Sequence, residues 1–258
     1  MQLSAVSRAL DRAGFAIIAT GVRQCLVASD GKEALHVPQL ENLFLAPARK
    51  VITPMDAAGW DARYATDELI WTAEPNRWLV ETLADLPPGV ALDLGAGEGR
   101  NALWLARRGW DVTAVDFSAE AIRKGRAVQA AHARETVPRL TWVHADLLSY
   151  VPASRSCAAV VVTYIHLPAV ARRALVRTAA DALAIGGVLL VVGHDQTNLA
   201  EGVGGPSDPA VLFTAGDIVA DLVGLGGLEI RRAERVERPV GTDGQVALDA
   251  LVEVARAS

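Results

Sequence analysis

The stretch that most limits how this chain folds runs from Val90 to Asn101. Val90 to Leu94 is a short apolar run interrupted by one acid, Asp93, which reads as a buried parallel strand with a charge near its carboxyl end. Gly95, Gly97 and Gly99 follow at alternate positions, where the backbone must turn tightly and a Cβ would stand in the way. Leu103, Trp104 and Leu105 then sit in a helical stretch with Asn101, Arg107 and Arg108, and Gly109 stops it. Strand, glycine turn and helix together form the nucleotide-cofactor corner of a doubly wound sheet.

The spacing separates one cofactor class from another. A dinucleotide fingerprint, G-x-G-x-x-G, sets its pyrophosphate on the helix N-terminus. Here the third glycine comes one residue early and Arg100 stands in its place. Asp93, two residues before the first glycine, would also repel a pyrophosphate. It suits a ligand that brings a cation, such as the ammonium and sulfonium of S-adenosylmethionine (SAM). The segment Asp93-x-Gly95-x-Gly97-x-Gly99 resembles motif I of the class I SAM-dependent methyltransferases.

Downstream spacing agrees. Asp111 to Asp116 is a second strand ending in an acid, about twenty residues past the glycines, where a carboxylate accepts ribose hydroxyls. Ser118 is placed to cap the next helix, which runs to about Ala133. Leu140 to His144 is a third strand, followed by Asp146, the acid that in the resembling family receives the adenine amino group. The resemblance implies cofactor contacts at Asp93, Gly95, Ala96, Gly97, Asn101, Asp116, Phe117, Ser118, Asp146, Leu147 and Thr163.

Trp60, Tyr64, Trp71, Pro75, Asn76 and Trp78 gather three of the six tryptophans just before this core. Their pattern is similar to the N-terminal segment of the thiopurine and tellurite-resistance methyltransferases, which folds over the cofactor. Aromatic faces attract soft cations, so Trp60, Tyr64 and Trp71 are lid candidates, while Trp78 and Leu79 read as core. Rings that simply pack a helix onto the sheet are the plainer alternative.

Cys157 to Thr163 is an apolar run and hence a fourth central strand. Tyr164 and His166 emerge at its carboxyl end, where open α/β sheets bind ligands. A helix opened by Pro168 follows, reaching about Ala184. Ile185-Gly186-Gly187 is expected as a turn into a fifth strand, Val188 to Val192, with His194 and Asp195 at its end. Gln196 to Leu212 is a long loop, Thr214 with Asp217 opens a helix as a capping box, and Leu228–Glu237 with Val246–Ala255 alternate as paired antiparallel strands. The expected fold is α/β: a doubly wound, mostly parallel seven-stranded sheet with a C-terminal antiparallel hairpin, Rossmann-like, spanning residues 55–258. Residues 1–54 are expected to form a small α+β appendage of unassigned role. It faintly resembles an RNA-binding toxin domain whose Gly-Ser-His signature is absent here.

The 258 residues carry a net charge of −5, which gives no electrostatic reason for a nucleic acid partner. Two cysteines, Cys25 and Cys157, make neither a disulfide framework nor a zinc site. No apolar run approaches the ~20 residues of a membrane span, so a reduced, cytoplasmic protein is expected. The resemblance implies methyl transfer from SAM to a small-molecule acceptor, including a soft sulfur, selenium or tellurium nucleophile. Tyr164, His166 and His194 are the candidate catalytic residues if the acceptor needs a base. A catalytically silent SAM-binding module and an NAD(P)-dependent enzyme are the alternatives, and a homodimer is left open.

Overall fold

The computed structural model describes residues 56–66, 68–131, 139–241 and 244–257; the appendage expected over 1–54 lies outside them. Helices α1 (Ala57–Tyr64) and α2 (Arg77–Leu83) precede the sheet. The alternating core follows as β1 (Val90–Leu94), α3 (Arg100–Arg107), β2 (Asp111–Asp116), α4 (Ala119–Ala131) and β3 (Leu140–His144). Next come β4 (Cys157–Thr163), α5 (Ala169–Asp181) and β5 (Leu183–His194). A short helix, α6 (Asn198–Glu201), and α7 (Ala215–Leu222) lead to the hairpin β6 (Leu228–Val240) and β7 (Gln245–Arg256).

The seven strands lie in the order β3-β2-β1-β4-β5-β7-β6. β1 to β5 are mutually parallel, and β7 runs antiparallel between β5 and β6. Chain order reverses between β1 and β4, so the crevice at their carboxyl ends is the switch point at which such sheets bind ligands. Because side chains alternate across a strand, each central strand feeds both faces. Leu92, Leu94, Val160, Val162, Leu189 and Val191 pack with α5, α7 and Phe213. Ala91, Ala159, Val161, Leu190 and Val192 pack on the other face with Trp78, Leu79, Leu103 and Trp110.

Local chemistry accounts for the element ends. Asn76 accepts from the backbone N–H groups of Trp78 and Leu79 at the start of α2. Ser118 Oγ accepts from Ala121 N at 3.1 Å at the start of α4, as its sequence position predicts. Thr214 and Asp217 form the reciprocal capping box that opens α7. Expected boundaries move in this half of the chain: the helix opened by Pro168 stops at Asp181 rather than near Ala184, because Leu183 already pairs with Cys157, and the long loop over 196–212 carries α6. Ile185-Gly186-Gly187 is not a separate turn but the irregular beginning of β5, and the register against β4 shifts between Cys157 and Ala159 to admit it.

Trp142 of β3 is the wedge that holds the glycine turn against α4. A Cβ built on Gly125 in α4 would fall 2.2 Å from its Cη2 and 3.0 Å from the Glu98 carbonyl oxygen. In an open helix, Gly→Ala would gain up to ~1 kcal/mol from propensity. Here overpacking by about 1–3 kcal/mol outweighs that gain. Gly125→Ala is therefore expected to destabilise the protein in urea titrations. Trp142→Phe in the same chain should recover part of the loss, and a Gly125→Ala protein as stable as the original would refute the wedge.

Candidate active site

The glycine turn is built from three residues with positive φ: Gly95 at +77°, Gly97 at +55° and Gly99 at +83°. It is tied to β2 by Gly95 N and Ala96 N, which donate to the Val115 carbonyl at 2.9 and 3.0 Å. Its centre is tied by Gly97 N, which donates to Asp116 Oδ2 at 2.7 Å. The other oxygen of Asp116 accepts from Ser118 N at 2.9 Å. Gly99 is the N-cap of α3.

Asp93 stands behind this turn, 1% exposed, and neither of its carboxylate oxygens has a hydrogen-bond partner. Burial first and the nearby Asp116 second push its pKa up to about 7. An unpaired carboxylate in such a place is costly as an anion, which is why an approaching cation would gain from it. Asp116 is also pushed upward by burial, against the pull of its backbone donors.

The aromatic residues expected over the turn lie beside it. A Cβ on Gly97 would meet the Tyr64 hydroxyl at 2.9 Å and Trp71 Nε1 at 3.8 Å. Trp71 Nε1 donates to that hydroxyl at 3.0 Å, and the Trp60 ring stacks on Tyr64 at 5.6 Å. Burial pushes the Tyr64 phenol up to about 12. Ile165 and Leu147 flank Gly95 from the other side. Asn101 Nδ2 donates to Thr163 Oγ1 at 3.0 Å, bridging α3 to the end of β4. Asp146 is exposed and its Oδ1 accepts from Leu148 N. Phe117 is half-buried, with its carbonyl 2.9 Å from His144 Nε2.

A second cluster sits at the carboxyl ends of β4 and β5. Tyr164, in the left-handed region at φ 57°, donates its hydroxyl to Asp249 Oδ2 at 2.7 Å. Asp249 is fully buried and also accepts from Arg238 Nε at 2.7 Å and Trp78 Nε1 at 3.4 Å. His194 stacks on His166 with centroids 5.4 Å apart, and Tyr164 lies 5.2 Å from His194. His166 Nε2 accepts from His194 N at 3.1 Å. His194 Nδ1 lies 3.5 Å from Asp249 Oδ1 without forming a hydrogen bond. Burial, with His194 beside it, lowers the His166 pKa to about 4; burial also lowers that of His194. Gly205, at φ +81°, lays the long loop after β5 across the His194 ring.

Sequence reasoning did not single out Asp249, Arg238, Glu98 or Lys124. Asp249 carried a usable signal, a lone acid in the run Ala247 to Leu251, the same signature that marked Asp93. Arg238 and Lys124 carried none, being single cations on a strand and a helix with many others.

Residues 91–187 match a family model described as a methyltransferase domain. Among similar solved structures is a SAM-dependent methyltransferase from Methanosarcina mazei, 19% identical, with a TM-score of 0.56 over 71% of this chain and 98% of that one. The glycopeptide N-methyltransferase MtfA, solved with SAM, is 20% identical, with a TM-score of 0.56 over 72% and 88% of the two chains. A structure described for conversion of a disulfide bond into a thioacetal group during echinomycin biosynthesis is 22% identical, with a TM-score of 0.58 over 78% and 92%. No curated protein sequence matches the chain. The fold is that of the class I methyltransferases. The matched stretch, which takes in the glycine turn, is similar to a methyltransferase domain, and the fold is shared with a chain solved with SAM. No helix among the described residues is long and apolar enough to cross a membrane.

The pKa of Asp93 gives a pH signature in stability. Its folded value is raised above that of the unfolded chain, so its contribution is fully present below about pH 4 and is lost as pH rises through about 7. Asp93→Asn removes this dependence. Relative to the original protein, the variant should gain about 2–3 kcal/mol between pH 5 and pH 8 in urea titrations. Parallel stability curves for the two proteins would contradict the buried, unpaired carboxylate.

Proposed function

We propose that this domain transfers a methyl group from SAM to a small-molecule acceptor, and that the acceptor is a soft sulfur, selenium or tellurium nucleophile, as in the tellurite-resistance and thiopurine methyltransferases. SAM supplies an electrophilic methyl on a sulfonium. The residues at the turn suit it. Asp93 offers an unsatisfied anion toward a cationic ligand, and Asp116 accepts ribose hydroxyls with the lone pairs its two backbone donors leave free. Tyr64 and Trp71 bring a hydroxyl and an indole N–H edge to the middle glycine. Asp146, at the end of β3, takes the adenine amino group, and Asn101 and Thr163 hold the crevice open to the right width between β1 and β4.

The observation that carries the soft-acceptor reading is how the second cluster uses its bases. Tyr164 gives its proton to a hydrogen bond with Asp249, and burial beside that carboxylate raises its pKa further. Asp249 is engaged by Arg238, Tyr164 and Trp78. His166 spends Nε2 on a backbone N–H. His194 Nδ1 is buried without a partner, 3.5 Å from Asp249 Oδ1. In this reading His166 and Tyr164 shape and dry the acceptor wall, and alignment of nucleophile and methyl does most of the catalysis. A thiolate or telluride needs no base; an alcohol or amine would need one within reach.

The test is a panel of thiols, selenite, tellurite, phenols and amines assayed with SAM. Methylation of soft acceptors, with a pH profile that follows the acceptor's own ionisation and a His166→Asn enzyme within about threefold of the original, is expected. Turnover of amines or phenols abolished by His194→Asn would instead favour general-base catalysis. Asp116→Ala should weaken binding of S-adenosylhomocysteine (SAH) by about 1.5–3 kcal/mol, the scale of hydrogen bonds to a charged group. Calorimetry showing unchanged affinity would remove Asp116 from the ribose site.

We further propose that residues 55–258 form the catalytic domain independently of residues 1–54 and act in the cytoplasm. Expressed alone, residues 55–258 should fold cooperatively and bind SAH; a fragment that fails to fold would show that the first 54 residues are needed.

A further inference from the structure

Glu98, between the second and third glycines of the turn, is 5% exposed and reaches the segment that carries Trp71. Its two carboxylate oxygens accept from Ile70 N at 3.1 and 3.0 Å, and Oε2 also accepts from Trp71 N at 3.1 Å. Lys124 of α4, 5% exposed, approaches Oε1 to 2.7 Å. The same ammonium donates to the Glu68 carbonyl at 2.5 Å and lies 3.4 Å from Thr66 Oγ1. Gly125 lets α4 come close enough for this reach, since its Cα hydrogen faces the Glu98 carbonyl where a side chain would not fit.

Glu68 to Thr72 has no helix or strand ladder to hold it, and loops without such ladders open easily. Its backbone N–H groups at Ile70 and Trp71 are held by Glu98 of this ion pair; its side chains are held by Arg100, which donates to Thr72 Oγ1 at 3.4 Å, by the Trp71–Tyr64 hydrogen bond and by Arg63 over the Trp71 ring at 5.4 Å. A buried ion pair returns little net stability after the cost of desolvating both partners, and its best-attested use is to specify one arrangement over others. Here the arrangement specified places Trp71, and with it the Tyr64 hydroxyl, against Gly97.

Resting on the assignment of the glycine turn to SAM, we propose that Glu98 and Lys124 are positioning residues of the cofactor site: their buried ion pair clamps residues 68–72 so that the aromatic lid stays closed over the turn. Neither residue touches the reacting atoms. Their effect passes through the lid, so loosening the pair should speed cofactor escape before it alters chemistry.

Hydrogen exchange on the ligand-free protein and SAH dissociation by stopped flow test this together. The amides of Ile70 and Trp71 should be protected in the original protein. In Glu98→Gln and in the double variant Glu98→Gln/Lys124→Met they should exchange at least about tenfold faster, with amides of β1 and β4 unchanged, because only local opening is made easier. SAH should leave both variants about tenfold faster or more, with kcat changed less than KM. Lys124→Arg, which keeps a cation at that place, should restore most of the protection. Unprotected Ile70 and Trp71 amides in the original protein would overturn the clamp even if every variant failed to fold. So would variants with normal exchange and normal SAH dissociation. An original protein that shows protected amides but never binds SAH would instead overturn the cofactor assignment and leave the clamp as a fastening of the loop alone.

Discussion

Everything at the candidate site depends on a turn that only glycine can make. Gly95, Gly97 and Gly99 all lie in the left-handed region, where a side chain is strained whatever the room around it. There is also no room. Ile165 presses on the first, Tyr64 on the second and Trp142 on the third. Strain and contact therefore exclude a Cβ independently at each position. The turn, in exchange, brings bare backbone to the carboxyl ends of β1 and β2 and aims the start of α3 at the same crevice. The proposed cofactor corner, lid and acceptor wall are arranged around that backbone.

Two buried carboxylates show how differently one fold treats the same chemical group. Asp249 is surrounded by donors from β6, the end of β4 and α2, so its charge is compensated and its role is to fasten Tyr164 and Arg238 in place. Neither carboxylate oxygen of Asp93 reaches a hydrogen-bond partner, and the pull of Arg100 and of the Ala102 amide does not offset its burial. Burial raises its pKa toward neutrality, and its unmet demand is the kind of local inconsistency that proteins keep where a ligand resolves it. That difference is the reason the Asp93 side is proposed as a binding place and the Asp249 side as a wall.

The strand pattern and the ends of most elements were legible because they are local. A β-run followed by alternate glycines, a serine three residues ahead of the amide it caps, and a threonine–aspartate capping box each depend on neighbours within four positions. The start of β5 was misread for the same reason in reverse. Ile185-Gly186-Gly187 has the composition of a turn, yet pairing with β4 drew it into the strand. The histidines show the same limit. His166 and His194 could be placed at strand ends, but nothing local revealed that one would accept the other's backbone N–H and so give up a ring nitrogen.

What the chain determined by itself was the order of strands and helices, the place of the glycine turn and the acids at the ends of β1 and β2. Hydrophobic period and backbone permissiveness are properties of short windows and need no partner. Tertiary structure alone decided which charges are satisfied. Tyr164 meets Asp249 from 85 positions away, and Glu98 meets the backbone of Ile70 from 28 positions away. Such pairings depend on where the sheet crossing and the lid bring distant segments together, and a charged residue carries no mark in sequence of the partner it will find.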